Sequence, residues 1–76
     1  LLLRCSRCRG KLVRYDKIGP GALLRCHKDR IDRFYGARER GGRLVCRCGQ
    51  VVGLDKGSFY KMIDNRFTRR GTWRRG

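Results

Sequence analysis

Acidic residues, histidine, proline and long apolar segments are all scarce in this chain of 76 residues. The six Asp and Glu residues are scattered singly, so no carboxylate pair suggests acid–base catalysis. The motifs G-x-x-x-x-G-K-[ST], G-x-G-x-x-G, G-x-S-x-G and H-E-x-x-H do not occur. The longest apolar runs have three residues, whereas a membrane-spanning helix needs about 20. We therefore expect no enzyme, no small-molecule substrate and no membrane segment.

The apolar content is also low for a self-sufficient core. A chain of this size removes only roughly 60% of its unfolded surface from water. Apolar residues make up 39% of it, so we expect stabilisation from outside the core, and five cysteines can supply it. Their odd number and clustered spacing are more typical of metal ligands in a reducing compartment than of a disulfide framework. The start Leu1–Leu3 also lacks the pattern of a signal peptide, so we expect a cytoplasmic location.

The net charge indicates the class of partner. Lys and Arg total 21 against six acids, giving a formal charge of +15, and 16 of the 21 are Arg. The planar guanidinium pairs with phosphate oxygens two at a time and stacks on bases. Nucleic acid is therefore the expected partner. The alternatives are a solvated cationic surface and a membrane-surface peptide, and the second would need an amphipathic helix that the pattern does not show.

The apolar periodicity predicts a mainly-β fold. Alternating patterns predict strands over residues 2–5, 11–15, 22–27, 43–48 and 50–54, whereas residues 28–35 fit either a helix or a strand. From Ser58 onward, Phe59, Met62, Ile63 and Phe67 lie at helical spacing behind a residue that can cap a helix. We predict a ribbon over 1–57, a short helix over 58–67 packed on it, and an extended Arg-rich tail over 68–76.

Four cysteines have the spacing of one metal site. Cys5 and Cys8 form a C-x-x-C motif followed by Gly10, in which two thiolates of a tight turn can face one ion. Cys46 and Cys48 are separated by one residue, and in extended backbone such side chains point the same way. Together they predict one structural Zn²⁺ held by four thiolates, which would stabilise the fold where the core cannot.

The fifth cysteine leaves alternatives open. The strand pattern places Cys26 with Leu24 and favours a buried thiol, but Cys26 could also replace Cys46 or Cys48 as a ligand. A second metal could bind Cys26 together with His27, the single histidine. The four clustered cysteines could instead be ordinary thiols, a redox pair, an iron–sulfur site or a catalytic zinc site, although the last would need a general base nearby.

Basic residues around the predicted turns and in the tail are candidate nucleic-acid contacts. Side chains next to zinc-bound thiolates must project outward from the turns, and a tail that interleaves Trp with Arg can follow a phosphate backbone and stack on a base. The tail holds no acid. The candidates are Arg4, Arg7, Arg9, Lys11, Arg47, Arg69, Arg70, Trp73, Arg74 and Arg75.

Several of these motifs resemble those of a known group of small proteins. The motifs are Cys5-Ser-Arg-Cys8-Arg-Gly10-Lys-Leu-Val-Arg-Tyr15, Lys17-Ile-Gly-Pro-Gly21, Leu24-Arg-Cys26-His-Lys-Asp29-Arg-Ile31 and Cys46-Arg-Cys48-Gly49. In this order they resemble small archaeal zinc-ribbon proteins, similar in size and charge to archaea-specific ribosomal proteins. The likeness covers about residues 4 to 63. It implies a zinc ribbon docked on ribosomal RNA, without catalytic activity, and this chain departs from the pattern in carrying Arg9 and Arg47.

Together with the positive charge, this resemblance implies a structural constituent of the ribosome that binds rRNA and neighbouring ribosomal proteins and is not an independent homo-oligomer. Its expected mechanism is neutralisation of phosphate charge and fit to RNA shape. The alternative is a zinc-ribbon adaptor of a transcription or RNA-processing complex, which would need an acidic or apolar contact surface. A third class, a cationic host-defence peptide, predicts oxidised cysteines.

Overall fold

The computed structural model of the protein describes residues 1–75, and Gly76, the last residue of the predicted tail, lies outside the described residues. Residues 1–75 form nine strands and one 3₁₀ turn (Lys28–Arg30), without an α-helix. No helix in this range is long and apolar enough to cross a bilayer. The strands are β1 (Leu2–Cys5), β2 (Lys11–Tyr15), β3 (Arg25–His27), β4 (Ile31–Phe34), β5 (Ala37–Arg40), β6 (Arg43–Cys46), β7 (Val51–Asp55), β8 (Phe59–Met62) and β9 (Phe67–Arg70).

The strands form two antiparallel sheets that share one core. The first sheet has four strands in the order β4-β2-β1-β9, and the second has five in the order β3-β8-β7-β6-β5. Alternate residues of both sheets point inward, and the fully buried side chains include Leu3, Leu12 and Val13 from the first sheet and Leu44 and Val52 from the second. The fold is therefore small and mainly β, as predicted from the apolar periodicity.

The two sheets repeat one four-stranded unit. In the first unit the hairpin β1–β2 is flanked by β9 and β4, and in the second the hairpin β6–β7 is flanked by β5 and β8. Leu12 and Val52 occupy equivalent β-bulges, where one extra residue interrupts the register of each hairpin. The flanking strands also have equivalent registers, because Phe67 lies opposite Cys5 and Ala37 lies opposite Cys46. The structure thus contains an internal repeat that the sequence does not show.

The predicted helix over 58–67 is wrong. Residues 59–62 form β8, which pairs with β7 and β3, and Phe67 begins β9 in the other sheet. Tyr60 and Met62 point into the core from β8, so alternation with a period of two explains their burial. Met62 of β8 and Phe67 of β9 contact the same core from two separate strands, whereas Phe59 lies opposite His27 on the outer face, so their helical spacing is coincidental.

The predicted tail over 68–76 also begins inside a strand. Its first three residues belong to β9 and pair with β1, with Arg69 opposite Leu3 and Arg70 opposite Leu2. Beyond β9, the Arg74 N–H donates to Lys17 O at 2.7 Å, and the Arg74 carbonyl accepts from Gly19 N at 2.8 Å. The C-terminal segment up to Arg74 is therefore part of the fold rather than a free extension.

Candidate metal centre and basic surface

Four cysteines meet where the two repeated hairpins approach each other. Cys5 and Cys46 are the last residues of β1 and β6, and Cys8 and Cys48 lie in the turns that follow. The four Sγ atoms all lie within 4.8 Å of one another. The Sγ atoms of Cys5 and Cys48 are 3.6 Å apart, and those of Cys8 and Cys46 are 3.5 Å apart. The two halves of the predicted site, which are separated by 37 intervening residues in the sequence, are thus brought together.

The sulfur separations suit a tetrahedral cation. With a Zn–S distance of about 2.3 Å, neighbouring thiolates of a ZnS₄ site lie about 3.8 Å apart, close to the shorter separations observed here. None of the four cysteines forms a disulfide. Four cysteines lie close enough to hold one metal ion, and soft thiolate donors are those that Zn²⁺ accepts in closed sites.

The two turns use the same backbone hydrogen bonds to present their sulfurs. In the first turn, Cys5 N donates to Gly10 O at 2.9 Å and Arg9 N donates to Cys5 O at 2.9 Å. In the second, Cys46 N donates to Gln50 O and Gly49 N donates to Cys46 O, both at 2.8 Å. The first turn is one residue longer. This explains why C-x-x-C and C-x-C motifs serve equivalent positions.

Hydrogen bonds from outside the cysteine set reach two of the sulfurs. Gly10 N donates to Cys8 Sγ at 3.4 Å, and the Gln50 side-chain amide lies 3.6 Å from Cys5 Sγ. The same amide donates to Ser6 Oγ at 3.0 Å and to the carbonyl of Arg66 at 2.9 Å, so Gln50 ties the second turn to the first. This role of Gln50 was not predictable from the sequence, because its contacts depend on the pairing of the two hairpins.

The environment of the cysteines favours a bound cation over free thiolates. Burial raises the pKa of the Cys46 thiol to about 12 in the absence of a cation. A divalent ion reverses this preference because thiolates coordinate it directly and release their protons. A divalent ion held by four thiolates would give the site a net charge of −2, and Lys11 and Arg47 line a cleft together with Cys8 and Cys48. These two residues can therefore offset the negative charge of the metal centre or contact a phosphate.

Cys26 lies outside this cluster. It is fully buried on β3, opposite Tyr60, and burial raises its pKa to about 12. His27 follows it in the same strand, so its side chain points to the other face, where its ring lies 5.7 Å from that of Phe59. Within residues 1–75 the metal-compatible cysteine group does not include Cys26, which is the buried apolar thiol that the strand pattern favoured.

The predicted nucleic-acid contacts fall into three groups. Arg4, Arg9, Arg69 and Arg70 line one open cleft between the first turn and the β1–β9 pair. Lys11 and Arg47 flank the metal centre, and Arg7 is exposed on the first turn. Trp73, Arg74 and Arg75 lie apart from both, on the exposed segment that follows β9.

Some of these arginines already have partners within the protein. Arg74 forms an ion pair with Asp16, Arg69 donates to Gly21 O at 2.7 Å, and Arg4 donates to Arg9 O at 3.1 Å. Arg69 and Arg74 thus help to fix the loop over residues 16–21 against the C-terminal segment. Their guanidinium groups are therefore less available for phosphate than those of Arg7, Arg70 and Arg75.

The acids of the chain are largely neutralised by local contacts. Four of the six take part in ion pairs within residues 1–75, with Arg14, Lys28 and Arg74 as partners. Lys28 contacts both Glu39 and Asp55, and its hydrogen bond to Asp55 holds the pKa of that carboxyl below the usual range. These ion pairs use three of the 21 cations, so 18 have no acidic partner among the described residues.

Comparison with known proteins adds no assignment: no family model, curated protein or solved structure matches this chain. The resemblance to small archaeal zinc-ribbon proteins therefore stays a prediction.

Proposed function

We propose that this protein is a zinc-stabilised structural constituent of the ribosome that binds rRNA through its basic surface. The observation that carries the proposal is the large number of exposed cations without acidic partners around a small, metal-compatible fold. Self-repulsion of such a surface opposes compaction, and a polyanion relieves it. The phosphate backbone of folded RNA is the polyanion that planar arginine groups suit best.

In this proposal the ion is Zn²⁺ and its role is structural. Four thiolates fill all four positions of a tetrahedral site, whereas a catalytic zinc keeps one position open for water or substrate. The ion would join the two repeated hairpins, with Cys5 and Cys8 from one and Cys46 and Cys48 from the other. It would thereby connect the two sheets at one end of a core that contains few large side chains.

The cleft lined by Arg4, Arg9, Arg69 and Arg70 is the leading rRNA contact. It combines residues of the first turn with residues of β9, so it exists only when the C-terminal strand pairs with β1. Neighbouring ribosomal proteins and a cytoplasmic, ribosome-associated location belong to the same proposal.

A second candidate is the zinc-ribbon adaptor of a transcription or RNA-processing complex. The observation in its favour is the exposure of several large apolar side chains: Leu24 is 68% exposed, Phe34 48%, Trp73 42% and Ile18 40%. A protein partner could cover these side chains. A neighbouring ribosomal protein could cover these side chains equally well, so their exposure does not distinguish the two functions. The excess of positive charge on the rest of the surface favours the ribosome.

Fractionation of cells that express the tagged full chain tests the proposal. We expect the protein to sediment with ribosomes at low salt and to leave them progressively as salt rises, because counterion release weakens phosphate contacts. A variant with Arg4→Gln and Arg70→Gln should leave at lower salt than the wild type. If the protein sediments with RNA polymerase or a processing complex instead, the adaptor function is correct and the ribosomal proposal is wrong.

A further inference from the structure

The outer face of the five-stranded sheet carries a second basic surface that the sequence-based predictions did not include. Residues directly opposite each other in antiparallel strands share a face. Arg25 lies opposite Lys61, Lys61 opposite Leu54, Leu54 opposite Arg43, and Arg43 opposite Arg40. One continuous row therefore crosses all five strands and contains four cations. We call this row, together with Arg38 on the same side of β5, the second basic face.

This face has no acid among its strand residues. The acids of the same sheet, Glu39 and Asp55, lie in the rows that face the core, opposite Leu44 and Tyr60 respectively. Glu39 accepts a hydrogen bond from the Tyr60 hydroxyl at 2.8 Å, and Asp55 pairs with Lys28. The four ion pairs within residues 1–75 involve none of the cations of the second basic face.

Like charges are placed directly opposite each other within the row. Arg40 faces Arg43 across the two-residue turn Gly41–Gly42, and Arg25 faces Lys61. Directly opposed like charges destabilise a sheet. Such pairs without a neighbouring acid to offset the repulsion are typical of a functional surface. An anion bound across these pairs would remove the repulsion.

Apolar and aromatic side chains on the same face suit the sugar and base edges of a nucleic acid. Leu54 and Val45 are half-buried between the cations. Phe59 lies opposite His27, and the Arg25 guanidinium lies 5.1 Å from the centre of the Phe59 ring. Exposed sheet faces that combine cations with an aromatic ring can bind both the backbone and the stacked bases of RNA.

The internal repeat provides an equivalent face on the first sheet. There the register aligns Arg33, Arg14, Leu2 and Arg70 across β4, β2, β1 and β9, at positions equivalent to Lys61, Leu54, Arg43 and Arg40. We call this row, together with Arg4, the first basic face, and it includes two residues of the cleft described above. Each face points away from the shared core, so a single RNA segment lying flat on one sheet does not cover the other.

We propose that the second basic face binds an RNA segment of its own, so that one protein molecule bridges two RNA segments. This inference rests on the proposed rRNA-binding function and goes beyond it, because contact with rRNA requires only one surface. The charge of the face, its opposed cations and its half-buried apolar residues all favour the sugar–phosphate backbone of RNA as the occupant.

An energy-transfer assay with two RNA hairpins tests the bridging. The zinc-loaded full chain is mixed with an excess of two hairpins of identical sequence, one carrying a donor and the other an acceptor dye. We expect transfer that depends on the protein and two hairpins per chain by sedimentation. The double substitution Arg43→Gln and Lys61→Gln should weaken binding of the second hairpin by about tenfold, because two phosphate contacts are lost. Binding of the first hairpin should remain.

Two further variants complete the design. The charge-matched control Lys56→Gln with Arg66→Gln, at exposed positions outside both faces, should leave the transfer unchanged. Arg4→Gln with Arg70→Gln should instead remove the hairpin bound to the first basic face. Zinc content is measured for every variant, so that a loss of folding is recognised.

The outcomes separate the two proposals. If the wild type binds one hairpin and the Arg43 and Lys61 variant behaves like the wild type, the second site is wrong and the rRNA-binding function stands. If the wild type binds no RNA, the proposed function itself is overturned. If polyglutamate displaces the second hairpin at a lower concentration than unlabelled hairpin does, the face recognises an acidic protein, and its assignment to RNA is wrong.

Discussion

Arg9 and Gly49 occupy equivalent positions in the two cysteine turns. Each has a positive φ, +63° for Arg9 and +95° for Gly49, and each donates its N–H to the carbonyl of the first cysteine of its hairpin. The left-handed conformation at this point directs the chain back into the return strand after the second cysteine of the turn. Glycine adopts it without a steric penalty, whereas arginine does not.

The first prediction follows from this equivalence. Gly49→Ala should destabilise the zinc-loaded protein by about 1 kcal/mol, because alanine is strained at a φ of +95° although its Cβ meets no neighbouring atom. Arg9→Gly should not destabilise it, since glycine relieves the strain at the equivalent position. Urea denaturation of both variants measures the two free energies of unfolding. A larger loss for Arg9→Gly than for Gly49→Ala would contradict the equivalence.

The second prediction distinguishes the four clustered cysteines from the fifth. Cys8→Ser should abolish stoichiometric zinc binding and the cooperative melt, because three thiolates do not complete the site. Cys26→Ala should retain one zinc per chain and lose about 1–2 kcal/mol of stability, since it removes only a buried sulfur from the core. Metal analysis and thermal denaturation provide the readout. Loss of zinc from Cys26→Ala would place Cys26 in the metal site and refute the assignment.

The third prediction concerns Gln50. Gln50→Ala removes the amide that contacts Cys5 Sγ, Ser6 Oγ and the Arg66 carbonyl. Groups that orient metal ligands typically change metal affinity by about 10–100-fold when they are lost. We therefore expect zinc affinity, measured by competition with a chromogenic chelator, to fall within this range. Lys56→Gln, in an exposed turn, is the control. Equal affinities for Gln50→Ala and the control would show that the amide does not support the site.

The fourth prediction is a loss of stability at alkaline pH that depends on Cys26. Burial raises the pKa of this thiol from 9.0 to about 12. The thiol of the unfolded chain releases its proton at a lower pH than the thiol of the folded chain. The contribution of the protonated Cys26 to the free energy of unfolding is therefore complete below about pH 9 and is lost as pH rises towards about 12. In Cys26→Ala the fall of unfolding free energy with pH should be shallower by up to about 1.4 kcal/mol per unit.

Urea denaturation from about pH 8 to about pH 10.5 measures this slope. Tyr60→Phe is a useful comparison, because burial and the hydrogen bond to Glu39 raise the pKa of Tyr60 to about 12 as well. It should flatten the curve only above about pH 10, the ordinary pKa of tyrosine. Parallel curves for the wild type and Cys26→Ala would show that the thiol is not protonated preferentially in the fold.

Local pattern was sufficient to predict the strands next to the cysteines. Leu2–Cys5 and Lys11–Tyr15 were predicted with the bounds that the structure has, because alternation of buried and exposed side chains and a tight turn define them locally. The spacing of the four cysteines also predicted that they would meet. Each pair can present two thiolates to one ion, and a four-thiolate site requires the two pairs to come together although they are distant in sequence.

Long-range pairing was not predictable from the pattern. Phe67–Arg70 is rich in arginine and carries no alternating apolar pattern, so Phe67 was predicted as the end of a helix and residues 68–70 as the start of a tail. This segment forms a strand because it pairs with the open edge of β1. The two strands are far apart in sequence, so local periodicity does not report their pairing. The same limit led to the wrong helix over 58–67, where Tyr60 was the informative residue: its burial fits a strand and interrupts the proposed helical stripe.

The central claim is that one metal ion held by Cys5, Cys8, Cys46 and Cys48 maintains a fold whose surface is free to bind rRNA. The most direct test measures the affinity of the protein for an rRNA fragment before chelation, after exhaustive chelation, and after Zn²⁺ is restored, with circular dichroism recorded on the same samples. We predict that chelation abolishes both the β-sheet signal and tight RNA binding and that Zn²⁺ restores both. A chelated protein that keeps its sheet signal and its affinity for RNA would contradict the account.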